Sequence, residues 1–78
     1  MTRQIDVRPA AAGWAVHLDD GGALAFAGGG AAEDAARKLA ARYAALGQGV
    51  EIRIWLRDGA LAGRFYAPPS PNHEAVAA

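Results

Sequence analysis

Beyond its charges this 78-residue chain offers chemistry very little: two histidines, two tryptophans, two tyrosines and no cysteine. Without cysteine there is no thiolate nucleophile, no thiolate zinc site and no disulfide framework. The hydroxyl candidates Thr2 and Ser70 stand near the ends of the chain. A nucleophile needs a base held against it, which terminal segments do not supply. His17 with Asp19 or Asp20 offers too few ligands for a metal, and His73 lies in a proline-rich tail, whereas a metal site needs three or four converging groups. Gly28-Gly29-Gly30 ahead of a helical pattern has the look of a phosphate cradle. It lacks the Gly-Lys-Ser/Thr ending of a P-loop, and Glu33-Asp34 would repel an anion, so it reads as a connector. Asp19, Asp20 and Asp58 are explained as turn residues. The chain therefore reads as a non-enzyme with no cofactor and no metal.

One surface stands out. From Val50 to Arg57 the residues alternate, with Ile52, Ile54 and Leu56 on one side and Glu51, Arg53, Trp55 and Arg57 on the other. Asp58-Gly59 signals a two-residue hairpin turn of type I′. That register sets Leu56 against Leu61, Ile54 against Gly63, Ile52 against Phe65 and Arg53 against Arg64. Ala60, Ala62 and Tyr66 then join the face of Trp55, and Arg8 and His17 join it from earlier strands. Like charges directly opposite each other destabilise a sheet, and an exposed tryptophan on a single-layer sheet calls for a reason.

Three readings follow. Arginine stems cover Trp55 and Tyr66 while Glu51 and Asp6 balance the charge. Alternatively, the face is a protein interface, since Trp, Tyr and Arg are enriched at binding hot spots. Its simplest form is a symmetric homodimer through the sheet face or an edge strand, and an unknown protein partner is the variant of this reading. In the third, the arginines contact phosphates and the aromatics stack on bases, making a nucleic-acid-binding module. Eight basic and eight acidic residues balance to zero net charge, which weighs against phosphate-driven affinity.

The elements that must position this face are legible from periodicity. Residues 3–8 alternate polar and apolar and read as a strand ending at Pro9. After a connection over residues 10–13, Trp14, Val16 and Leu18 form the apolar side of a second strand. A three-residue turn at Asp20-Gly21-Gly22 leads to a third, pairing Leu18 with Leu24 and Val16 with Phe26. Residues 31–46 change to helical spacing, with Ala32, Ala35, Ala36, Leu39, Tyr43 and Leu46 on one stripe and Ala41, Ala44 and Ala45 outside it. Glu33 and Asp34 fall in the first turn and form i,i+4 pairs with Arg37 and Lys38. Gly47 and Gly49 end the helix. Gly63 leaves room for the helix to approach. The fold class is α+β: a small, mostly antiparallel sheet in the order β-β-β-α-β-β along the chain, with one helix on one face. Residues 1–67 form the domain, and residues 68–78 a proline-rich mobile tail.

Trp14-x-Val16, Ala32-x-x-x-Ala36-x-x-Leu39-Ala40, Val50-x-Ile52 and Asp58-Gly59 together resemble a family of small bacterial domains of unknown function, over residues 5 to 66. That resemblance implies a short antiparallel sheet with one helix, and no activity. The Thr/Ser-Lys helix start of the family is replaced here by Gly28-Gly29-Gly30.

Composition sets the remaining bounds. The chain is 53% hydrophobic, but more than a quarter of its residues are alanine, which bury little area each. A core of this size supplies only about 3–5 kcal/mol of net stability, so self-association is expected. No apolar run reaches the roughly 18 residues of a membrane span, and no secretory signal opens the chain. A cytoplasmic location is the expectation.

Overall fold

A computed structural model describes residues 2–70. Five strands and one helix follow in the order β1 (Thr2–Ala10), β2 (Gly13–Leu18), β3 (Ala23–Phe26), α1 (Gly29–Ala45), β4 (Gly49–Trp55) and β5 (Leu61–Ala67). They build one sheet in the spatial order β3-β2-β1-β4-β5, an α+β fold. The sheet is mixed. Its central pair, β1 and β4, is parallel, while β1–β2, β2–β3 and β4–β5 are antiparallel. Parallel neighbours need a long crossover, and here β2, β3 and α1 together form it.

Alternation fixes what each strand shows the helix. Ile5, Val7, Val16, Val50 and Ile52 are fully or almost fully buried beneath Ala32, Ala36 and Ala40, with Ala44 at the end of the same row. Small residues at every fourth position leave a low ridge, so the helix backbone lies close to β-branched strand residues. This corrects the expected stripe. Ala44 belongs to the inner row, Leu39 and Tyr43 flank it half-buried, and Leu46, 68% exposed, is the residue that caps the helix. Gly47 follows with φ +84°. Its N–H donates to the Ala44 carbonyl at 3.0 Å and that of Gln48 to Tyr43 at 2.9 Å, a Schellman closure. Gly49 is thus the first residue of β4 and takes no part in the cap.

The helix also starts earlier than its periodicity indicates. Gly28 is the N-cap, Gly29 and Gly30 lie in the first turn, and no acidic residue does. A side chain at Gly29 would meet the Trp14 indole at 3.0 Å, so glycine there lets the ring close one end of the core. Glu33–Arg37 at 2.8 Å and Asp34–Lys38 at 3.0 Å are ion-paired, one turn further in.

Further corrections concern the strands. Pro9 does not end β1; it pairs with Trp14 of β2. The pairing with β4 stops at Val7, so Pro9 has a neighbour on one side only and its missing N–H costs no ladder bond. In the β2–β3 hairpin, Val16 faces Leu24 and Trp14 faces Phe26, two residues from the expected register and on the same faces. Its loop is Asp19-Asp20-Gly21, closed by Leu18 N–H to the Gly22 carbonyl at 2.8 Å. The β4–β5 turn is not a two-residue one. Leu56 N–H donates to the Ala60 carbonyl at 2.8 Å, leaving Arg57-Asp58-Gly59 as a three-residue loop with Gly59 at φ +90°. Leu61 therefore faces Trp55, not Leu56, and a bulge then restores Ile54 opposite Gly63. Gly63 faces no helix atom; the Phe65 ring lies 3.4 Å from where its side chain would be.

Ser70 N–H donates to the Ala44 carbonyl at 2.9 Å, so the chain after β5 is tied to the helix end. His73 and the rest of the expected tail lie outside the described residues. Among the described residues no helix is long and apolar enough to cross a membrane.

Candidate binding surface

The face away from α1 carries the residues singled out by alternation, and the strand order divides them into two groups. In the first, Arg53 stands opposite Arg64, and Glu51 lies between them. Its Oε1 accepts from Arg53 Nε at 3.0 Å and pairs with Arg53 Nη2 at 2.9 Å, while Oε2 lies 3.4 Å from Arg64 Nε. One carboxylate thus relieves the like-charge pair. Tyr66 lies at the far end of this group, its ring over Gly49, and is 59% exposed.

The second group surrounds Trp55. Its indole Nε1–H donates to Asp6 Oδ1 at 2.9 Å, and Gln4 Nε2 donates to the other oxygen of Asp6 at 3.0 Å. The Arg8 guanidinium stacks over the indole, 4.6 Å from the ring centroid, a favourable cation–π distance. Arg57 reaches back across the strands and donates to the Ala10 carbonyl at 3.3 Å. Arg8, Pro9, Trp55, Leu56, Arg57 and Gly59 line a cleft of about 280 Å³. His17, exposed, pairs across the ladder with Asp6 and completes the face on the β2 side.

Among the described residues the carboxylates pair with Arg3, Arg37, Lys38, Arg53 and Arg64. Among the same residues Arg8, Arg42 and Arg57 have no carboxylate partner. Arg42 sits in the last turn of α1, where the helix dipole favours a cation. The other two meet at the cleft. No group of three or more His, Cys, Asp or Glu that could hold a metal ion occurs among the described residues.

Two features were not read from the sequence. Arg3 shares the helix-side face with Ile5 and Val7. There it stacks on Tyr43 at 4.3 Å and bonds Asp19 at 2.8 Å and the Tyr43 hydroxyl at 3.3 Å. Its bond to Asp19 raises its pKa above the ordinary arginine value, against a smaller desolvation penalty. The parity of residues 3, 5 and 7 carried this signal. The second feature is the outer strand β5. Leu61 and Phe65 are 41% and 40% exposed, and a groove of about 310 Å³ runs between β5 and α1, floored by Ala40, Ala41 and Ile52. Arg37 stacks over Phe65 at 4.5 Å.

Comparisons with protein-family models, with curated proteins and with solved structures return no match. The resemblance to small bacterial domains rests on its motifs alone.

Proposed function

We propose that the chain is a non-enzymatic interaction domain that pairs with a second copy of itself through β5. The observation that carries this reading is the outer edge of β5, seven residues long and with no strand paired to it among the described residues, with Leu61, Phe65 and Tyr66 exposed along it. An unpaired strand edge is a template for another strand. The opposite edge, β3, has only four residues, which favours a closed two-fold pair over a growing chain of sheets. The bulge after Leu61 and the prolines at 68 and 69 confine pairing to the middle of β5.

Register supports one arrangement. An antiparallel pair centred on Phe65 sets Arg64 opposite the partner's Tyr66 and brings the two Phe65 rings together. Centring it on Arg64 would oppose like charges, which destabilises a sheet pair. The edge is also better suited than the face, whose carboxylates are already engaged within the domain.

Sedimentation velocity over a wide concentration range tests this. The native chain is expected at twice its monomer mass, and Phe65→Glu as a folded monomer. Trp55→Ala combined with Arg53→Glu is expected to leave the dimer intact; dissociation of that variant alone would move the interface to the face. A native chain that stays monomeric at high concentration overturns self-association.

A further inference from the structure

We infer that the cleft between the ends of β1 and β4 is a phosphate-binding site, built by Arg8 and Arg57 around the Trp55 indole. The topology places it. Among the described residues β1 and β4 are the only parallel strand pair. Both chains leave at the same end and turn in opposite directions, β1 toward β2 and β4 toward β5. Parallel neighbours that diverge in this way open a crevice beyond their carboxyl ends, the usual place for a ligand in open sheets. Here the crevice is lined by Arg8 and Pro9 from one strand, and by Trp55, Leu56, Arg57 and Gly59 from the other.

The side chains give the crevice its chemistry. Two guanidiniums without carboxylate partners line a single cleft, although the chain as a whole carries no net charge. Each is held by a contact that leaves most of its donors unused. Arg8 Cζ lies 4.6 Å over the indole centroid, and among the described residues no hydrogen bond engages its guanidinium N–H groups. Arg57 commits Nη1 to the Ala10 carbonyl and keeps the rest of its five donors. The platform beneath is fixed as well, through Trp55 to Asp6 and Asp6 to Gln4. The nearby carboxylates are engaged elsewhere: Asp6 by Trp55 and Gln4, and Asp58 by the Ala60 N–H at 2.9 Å.

Two planar forks select phosphate over carboxylate. One guanidinium already saturates both oxygens of a carboxylate in a bidentate pair, while a phosphate has oxygens for two forks at once. A volume of about 280 Å³ is at the small end of ligand sites, enough for a phosphate and a modest organic group. The same chemistry serves a free phosphate ester or the backbone of a single nucleic-acid strand. Neither arginine belongs to β5, so the site is independent of the proposed self-pairing.

The test is an NMR titration of the native chain at low salt, following the Trp55 indole N–H and the Arg8 and Arg57 Nε–H signals. The probes are inorganic phosphate, adenosine monophosphate and a short oligothymidylate, with acetate as the competitor class. Saturable shifts confined to these three groups are expected. Arg8→Gln and Arg57→Gln are each expected to weaken binding by roughly tenfold or more, the worth of a charged hydrogen bond. Binding of inorganic phosphate or the monophosphate assigns a free ester as the source. Binding of the oligonucleotide alone, with a log–log salt slope of about −0.7 per phosphate contacted, assigns a nucleic-acid strand. No saturable shift with any probe, equal response to acetate, or undiminished binding by the double glutamine variant overturns the assignment.

Discussion

Strand β1 holds two arginines stacked on aromatic rings, and they differ in one partner. On the helix side, Arg3 lies 4.3 Å from the Tyr43 ring centroid and is ion-paired with Asp19 at 2.8 Å. On the opposite side, Arg8 lies 4.6 Å from the Trp55 centroid and has no carboxylate. The first is a closed clamp: it ties β1 to the β2–β3 turn and to the last turns of α1, with its charge neutralised inside the domain. The second lies at a similar distance over its ring, but its charge faces solvent in a cleft that Arg57 also lines. Where the carboxylate is present, the stack joins three elements. Where it is missing, the guanidinium is left unneutralised within the described residues. The aromatic partner is common to both and so does not decide the role.

If the two stacks are independent, they can be broken separately. The largest effect is expected from Ala36→Leu, which forces bulk between helix and sheet and should cost about 1–3 kcal/mol. It should loosen Tyr43 from Arg3 while leaving the Trp55 indole resonance in place; equal disturbance at both would mean that one rigid unit holds them. Asp6→Ala removes the acceptor of the Trp55 indole and is expected to cost about 1 kcal/mol, seen as a lower urea midpoint and a shifted Trp55 signal. Arg3→Gln should lower the urea midpoint clearly, and more so in low salt than in high. Arg8→Gln should change stability by less than about 0.5 kcal/mol, as for most surface substitutions. If it destabilises as much as Arg3→Gln, Arg8 is a structural clamp too.

Faces were legible in the sequence, while neighbours were not. Strict alternation over Val50–Arg57 was enough to turn Trp55 outward, because a one-residue slip would have exposed Ile52; the pairing of Arg53 with Arg64 came instead from the turn register. The turn beside it misled. Asp58-Gly59 suits a two-residue turn, yet Leu56-Arg57-Asp58-Gly59-Ala60 folds as Leu18-Asp19-Asp20-Gly21-Gly22 does. In each, the glycine N–H donates back to the leucine carbonyl, at 3.0 and 3.1 Å, and the aspartate accepts from the residue after the glycine, at 2.9 and 2.8 Å. The repeated Leu-x-Asp-Gly was the available signal. The longer loop shifts the register by one and the bulge after Leu61 shifts it back, so the expected facing pairs survive from Ile54 inward. The parallel meeting of β1 and β4 had no local signature, since strand order is set by which faces the helix can cover together. That meeting decides which carboxylate reaches which arginine, and so the division of the face into a neutralised group and an open one. Arg3 was missed for a simpler reason: a charge in an apolar row was read by its type and not by its parity.

The central pairing has a further consequence, for the order in which the domain assembles. Thr2 meets Gly49 and Val7 meets Ile54, each pair 47 residues apart. Closing so long a loop before its contacts form carries an entropic cost that the flanking hairpins and the helix do not bear. During synthesis β1 can pair with β2 as soon as both emerge, but its other edge stays bare until β4 follows the helix. The crevice beyond the strand ends comes into being only with that final closure. If phosphate binds at the crevice as inferred, it stabilises the closed β1–β4 pair by mass action.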